Sequence, residues 1–234
     1  MRDFRATKKY RGDVAARYDE KRAVKDVTRR DQAIVENYLS KVAPGSSVLD
    51  IPAGTGRFIQ FCLNRGLRYT GVDISPDMLD VARTKVPAGA TNVELRVADA
   101  RALPFGDDAF DYAIIIKFIK WLPNLELLID VLKEIKRVTR KEAFVQIKVT
   151  RRLPLRRRAA NLLGQLPIAR HIFGALADEN GSSAAKTPVR PFRSFSQQEL
   201  AEAFAAAGLH VRAIVPDGDL RRGRNFYILA KQVD

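Results

Sequence analysis

The segment Val48-Leu49-Asp50-Ile51-Pro52-Ala53-Gly54-Thr55-Gly56 confines this chain to few folds, because an apolar run opens directly onto two closely spaced glycines. Val48, Leu49 and Ile51 have the composition of a short buried strand. Gly54 and Gly56 let the backbone turn sharply and approach a ligand with no Cβ in the way. Thr55 to Asn64 can follow as a helix whose first amides point into the same crevice. Strand, glycine turn and helix, in that order, make the nucleotide-binding corner of an open α/β sheet, with ligands lying outside the carboxyl ends of the strands.

Glycine spacing alone does not choose the ligand. A dinucleotide fingerprint has a third glycine where the helix packs on the strand, and here Ile59 holds that position. Arg68 to Asp73 reads as a second strand ending in a carboxylate, which accepts hydrogen bonds from ribose hydroxyls in NAD and in other adenosine compounds alike. Val93 to Val97 reads as a third strand with Ala98-Asp99-Ala100 at its tip. An acid beside a small residue at a third strand end lies outside the NAD pattern.

Four segments in this order, Asp50-x-x-x-Gly54-x-Gly56, Gly71-Val72-Asp73-Ile74-Ser75-Pro76-Asp77-Met78, Ala98-Asp99-Ala100 with Leu103-Pro104-Phe105, and Phe110-Asp111-Tyr112 ahead of Leu122-Pro123, resemble the class I S-adenosylmethionine-dependent methyltransferases. The resemblance covers residues from about 46 to 150, and it is specific through the order and spacing of the four together. Pro52 stands where many family members have glycine; its fixed φ suits the end of an extended strand. The fold implied is α/β, a doubly wound, mostly parallel seven-stranded sheet whose last strand runs antiparallel to the others.

The resemblance also assigns a cofactor, S-adenosylmethionine, and residues to hold it. Asp50 and the turn Ala53-Gly54-Thr55-Gly56 would hold the methionine end. Asp73 would bind ribose, Ile74 and Met78 would flank adenine, and Asp99 with Ala100 would reach the adenine edge. Lys117 follows the fourth strand, where the family places residues beside the methyl group, and its backbone is a candidate contact for the methionine amino group. Tyr18 resembles the tyrosine that many small-molecule methyltransferases bring over the cofactor, and a half-buried helix tyrosine is the alternative. Tyr18 and Lys117 are thus the catalytic candidates. The Asn/Asp-Pro-Pro-Tyr/Phe signature of amino-methylating nucleic-acid enzymes is replaced by Ile116-Lys117-Phe118-Ile119-Lys120-Trp121.

Local signals divide the 234 residues into a single methyltransferase domain with four parts. Residues 1–45 are an N-terminal helical lid, helical over 12–42 and stopped by Pro44-Gly45. Residues 46–150 are the cofactor-binding half. Within it Ser75 caps a helix with Pro76 at its first position, Phe110–Ile116 is the fourth strand, Asn124 caps a helix, and Ala143–Val149 is the fifth strand. Residues 151–192 form a basic insert. Residues 193–234 begin with the capping box Ser196-x-x-Glu199, flanked by Phe195 and Leu200 as a hydrophobic staple. Gly208 ends that helix, and strands Val211–Val215 and Asn225–Ala230 close the sheet.

Charge is concentrated outside the core. Residues 1–30 hold eleven Lys/Arg against five Asp/Glu, and residues 151–170 hold six Arg and no acid, within a net charge of +14. Both segments are expected around the substrate mouth, which favours an anionic, small-molecule or lipid-like acceptor, methylated at oxygen or nitrogen. Leu155, Ala159, Leu162, Leu163 and Leu166 share one helical face opposite Arg157, Arg158, Asn161 and Gln165. Residues 153–177 therefore read as a lid packed on the domain or as a peripheral contact with an anionic membrane. Amphipathic helices in globular chains usually face their own core, which favours the lid. RNA is a further reading of the basic charge, although no aromatic-rich basic strand accompanies it.

Other classes have less support. One cysteine, Cys62, forbids an intrachain disulfide, and two isolated histidines, His171 and His210, make no metal-ligand cluster, so no metal is expected. The N-terminal residues lack the apolar core of a signal peptide and no apolar run reaches membrane-spanning length, so the cytoplasm is the expected location, with peripheral attachment to the inner face of a membrane as its variant. A non-catalytic S-adenosylmethionine-binding partner subunit and an NAD-dependent oxidoreductase are the rival functions; oligomeric state is not encoded in any motif.

Overall fold

A computed structural model describes residues 26–149, 194–217 and 223–231. Tyr18 with the rest of the first 25 residues, and the basic insert, including residues 153–177, lie outside the described residues.

The elements are α1 (Asp26–Leu39), β1 (Ser47–Asp50), α2 (Ile59–Asn64), β2 (Arg68–Asp73), α3 (Pro76–Arg83), β3 (Val93–Val97), β4 (Phe110–Ile115), a 3₁₀ turn (Ile119–Trp121), α4 (Leu125–Val138), β5 (Thr139–Lys148), α5 (Gln197–Ala206), β6 (Leu209–Pro216) and β7 (Arg224–Lys231). They build a seven-stranded sheet in the order β3-β2-β1-β4-β5-β7-β6. Strands β3 to β5 pair in parallel, and β7 pairs antiparallel with both β5 and β6. This is the expected doubly wound sheet with one reversed strand.

Alternation along the central strands sends side chains to two separate layers. Leu49, Ala113, Ile115 and Val145 pack beneath Leu128, Val131, Leu132 and Ile135 of α4 and Leu200, Ala203 and Phe204 of α5. Val48, Ile114, Phe144 and Phe226 pack against Val35, Tyr38 and Leu39 of α1 and Ile59 and Cys62 of α2 on the other face. Tyr38 stacks on Phe144 with ring centroids 4.3 Å apart, which docks α1 on the middle of the sheet. Helices on both faces explain why β1 is buried at every position and carries the apolar pair Val48-Leu49 at its centre.

Two boundaries differ most from the sequence expectation, each by four residues. The helix expected from Thr55 begins at Ile59, because Gly54 and Gly56 stand at φ +56° and +69° and a right-handed helix cannot form until the chain has passed both. The fifth strand begins at Thr139, well before Ala143: α4 runs into it without a loop, and Thr139 and Glu142 already pair with β4 on either side of a register shift. At the amino end of the sheet Asp111 accepts hydrogen bonds from the amide and hydroxyl of Ser47, at 3.0 and 3.1 Å, and joins β4 to β1 far from the glycine turn.

The capping signals are found as expected. Ser75 Oγ accepts from the Met78 amide, and Asn124 Oδ1 accepts from the Leu127 amide at 2.9 Å. Ser196 Oγ accepts from the Glu199 amide while Glu199 accepts from the Ser196 amide, and Phe195 and Leu200 are both buried. Replacing Ser196 by Ala removes the acceptor for one helix-terminal amide and is expected to cost about 1 kcal/mol. Urea unfolding should then show a lower midpoint at constant slope; an unchanged midpoint would deny the box any part in stability.

Candidate functional site

The strand order changes direction at β1, which lies between β2 and β4, and such a switch point leaves a crevice outside the carboxyl ends of the strands. The glycine turn leaves β1 there. In register, Asp50 faces Gly71 of β2 and Asp73 faces Val97 of β3. The acids at positions 50, 73 and 99 thus come from three neighbouring strand ends.

Asp73 braces the turn. Its Oδ2 accepts from the Gly54 amide and its Oδ1 from the Ser75 amide, both at 2.9 Å. Burial pushes its pKa up, and the backbone amides oppose that shift. Each carboxylate oxygen can accept a second hydrogen bond, so bracing the turn leaves Asp73 with capacity for ribose. Gly54 stands at φ +56°, where a Cβ is disfavoured, and a Cβ there would lie 3.4 Å from the Met78 methyl, in ordinary contact. At Gly56 the demand is spatial as well: a Cβ would fall 2.4 Å from Ile59 Cδ1. Ile59, which occupies the place of the third dinucleotide glycine, therefore fills the space that Gly56 vacates.

Asp50 is fully buried and accepts from the Tyr69 hydroxyl at 2.7 Å. Burial raises its pKa from 3.8 to about 7, against the lowering effects of the Tyr69 hydrogen bond and the Arg57 charge. Tyr69 itself is pushed well up by burial and by Asp50. Asp99 is different. It is part-exposed and gripped by Arg101, whose Nε lies 3.0 and 3.1 Å from the two carboxylate oxygens, and this hydrogen bonding lowers its pKa. Ala53 and Thr55 are buried in the turn; Ile74 is half-buried, Met78 buried and Ala100 half-buried.

Lys117 follows β4 in the left-handed conformation, at φ +62°. Its amide donates to Gln146 Oε1 at 3.1 Å and its ammonium lies 3.2 Å from Asp31 Oδ2. The structure thus brings together Asp50, Ala53, Gly54, Thr55, Gly56, Asp73, Ile74 and Met78, places Asp99 and Ala100 at the next strand end, and ties the Lys117 side chain to α1. Tyr18 falls outside the described residues, as do the rest of residues 1–25 and the basic insert. Among the described residues no group of three or more His, Cys, Asp or Glu side chains could hold a metal ion, and no helix is long and apolar enough to cross a membrane.

Sequence reasoning missed Tyr69, Arg101, Gln146 and Asp31. Two of these carry a readable signal: a tyrosine and a glutamine inside buried strands, Arg68–Asp73 and Thr139–Lys148, each need a polar partner.

These residues fit an adenosine-bearing cofactor with a cationic methionine end. The fit rests on the turn: Asp73 holds Gly54 in a conformation that keeps the backbone bare, with a buried acid on one side and apolar Ile74 and Met78 on the other.

Comparison with known proteins agrees. Residues 48–142 match the family described as a methyltransferase domain. The chain is 36% identical over 130 residues to a demethylmenaquinone methyltransferase of Renibacterium salmoninarum, covering 55% of this chain and 52% of that one. It is 35% identical over 97 residues to a malonyl-[acyl-carrier protein] O-methyltransferase of Serratia marcescens, covering 42% and 35%. The chain thus spans about half or less of the length of these curated relatives. The magnesium protoporphyrin IX methyltransferase of Synechocystis, solved with bound S-adenosylhomocysteine, superposes with a TM-score of 0.66 at 14% identity, over 97% of both chains, which is a likeness of fold. With the motifs, the strand-end acids and the match in agreement, residues 48–142 carry a methyltransferase domain, and the sheet around them has the class I S-adenosylmethionine-dependent methyltransferase fold.

Proposed function

We propose that this chain transfers a methyl group from S-adenosylmethionine to an oxygen or nitrogen atom of a small or lipid-like, anionic acceptor. The observation that carries the reading is Asp73 bracing Gly54 beside the buried Asp50 at the switch point of the sheet. When bound, S-adenosylmethionine supplies a methyl group already activated on a cationic sulfur. The chain itself then has only to hold and orient. Asp50 offers a carboxylate to the methionine ammonium, Asp73 accepts from ribose hydroxyls, and Ile74 and Met78 offer apolar surface to the adenine. Orientation of this kind supplies roughly 7–11 kcal/mol in favourable cases. A general base is required only where the acceptor atom carries its proton into the reaction.

Two features support the acceptor class. The relatives' names give demethylmenaquinone and malonyl-[acyl-carrier protein] as acceptors, neither of them a nucleic acid. The basic excess of the chain, +14, lies mainly in the two segments outside the cofactor half and suits an anion.

Calorimetric titration with S-adenosylmethionine and S-adenosylhomocysteine should show binding of both, and silence toward both at millimolar concentration would defeat the reading. Incubating small-molecule, lipid and RNA fractions of a cell extract with isotopically labelled donor should place label in the first or second, detected by mass spectrometry. Label in RNA would overturn the acceptor class. Cofactor binding with no label anywhere would make the chain a non-catalytic subunit.

A further inference from the structure

Lys117 stands at φ +62° at the carboxyl end of β4, immediately beside the switch point. That end is tied to β1, since the Ile51 amide donates to the Ile114 carbonyl at 3.0 Å. The left-handed region is disfavoured for L-residues because Cβ crowds the following carbonyl, and a lysine has no short polar group to relieve it. Such a conformation persists where the surroundings over-determine it, and it clusters at ligand-binding sites.

Here the surroundings are specific. Gln146, from β5, engages both ends of its amide. Its Oε1 accepts from the Lys117 amide at 3.1 Å, and its Nε2 donates to Asp31 Oδ1 at 3.0 Å. Asp31, from α1, takes the Lys117 ammonium on its other oxygen at 3.2 Å and is steadied by Arg224 at 3.4 Å. Lys117 is therefore held at its main-chain amide and at its side-chain tip by one closed ring of side chains. Asp31 and Gln146 are both buried, and Gln146 sits in a strand of apolar neighbours, a costly place for an amide.

We propose that Gln146 and Asp31 are positioning residues that hold the Lys117 main chain in its left-handed conformation, and that this conformation, more than the ammonium, sets affinity for the cofactor. The inference rests on the cofactor reading above. It makes α1 part of the site's support: a carboxylate on the helix fixes a backbone amide at the strand tip through one glutamine.

The test compares whole-chain variants by calorimetric dissociation constants for S-adenosylhomocysteine, with the melting temperature of each. Lys117→Asn and Lys117→Val both lose the ammonium, but asparagine tolerates the left-handed region and valine does not. Lys117→Val should bind about tenfold more weakly than Lys117→Asn. Gln146→Met should weaken binding about tenfold in the natural sequence, and by less than about threefold when Lys117→Gly is also present, because glycine adopts the conformation unaided. Where Lys117→Val is unfolded by circular dichroism, Lys117→Ala takes its place. Equal affinities for the asparagine and valine variants, or an equal Gln146→Met effect in both backgrounds, overturns the inference, and lowered melting temperatures with unchanged affinities would mark the ring as packing only. A natural chain that binds neither S-adenosylmethionine nor S-adenosylhomocysteine defeats the cofactor reading and this inference together; a natural chain that binds, with variants that bind equally, defeats this inference alone.

Discussion

Asp73→Ala should weaken S-adenosylmethionine binding about a hundredfold while the protein still folds. A hydrogen bond to a charged group contributes about 1.5–3 kcal/mol, so losing one to ribose accounts for most of that factor. The remainder comes from the turn. The Gly54 and Ser75 amides lose their shared acceptor, and the turn is free to leave the conformation in which Gly54 stands at φ +56°. Asp73→Asn keeps one oxygen acceptor but turns an amine toward one backbone N–H, so it should fall between the natural protein and the alanine variant. Calorimetry measures the affinities, and circular dichroism establishes that the sheet survives. A folded alanine variant with undiminished affinity would remove Asp73 from the site.

Asp50 should give the protein an unusual pH dependence. Its pKa is raised, from 3.8 to about 7, by burial. A carboxyl group that binds its proton more tightly folded than unfolded has the opposite sign to the usual salt-bridged acid. Between about pH 4 and pH 7 the native state holds more proton than the unfolded state, so stability falls as pH rises through that window and levels off above it. The contribution of Asp50 changes by something on the order of 4 kcal/mol across the window. Urea unfolding at pH 5 and pH 8 measures this, and the difference between the natural protein and Asp50→Asn isolates it from other groups. The cofactor reverses the direction. An ammonium at the methionine end requires the ionised carboxylate, so affinity should fall about tenfold for each pH unit below 7. S-adenosylhomocysteine shares that end and should share the slope, and Asp50→Asn should flatten it for both. A flat affinity profile in the natural protein would mean that Asp50 does not meet the ammonium.

How far the sequence discloses this architecture depends on the range of the interaction concerned. The caps at Ser75, Asn124 and Ser196 involve partners three residues away, and they are readable because chemistry and spacing lie in one short segment. Strands β1 and β4 announce themselves through Val48-Leu49 and Ala113-Ile114-Ile115 because helices cover both faces. The start of β5 does not, since Arg140 and Lys141 are exposed and charged and are carried into the strand by the pairing of Thr139 and Glu142 with β4 on either side of them. The backbone elements of the cofactor site are likewise local: glycine turn, strand-end acids, apolar flanks. Their electrostatics are not. Tyr69 reaches Asp50 across 19 positions and Gln146 reaches Asp31 across 115, so the pKa of one and the anchoring of Lys117 depend on neighbours that only the folded sheet supplies.

The strand order has a consequence for biogenesis. Strand β7 is the last of the seven to leave the ribosome, yet it lies between β5 and β6. While the chain is still being made, β5 presents a bare flank and β6 has no neighbour to join. Arg224, which steadies Asp31, arrives with the same late strand. The nascent chain should therefore remain sticky and chaperone-dependent until β7 has emerged, and a stop codon placed just ahead of residue 224 should direct it to proteolysis.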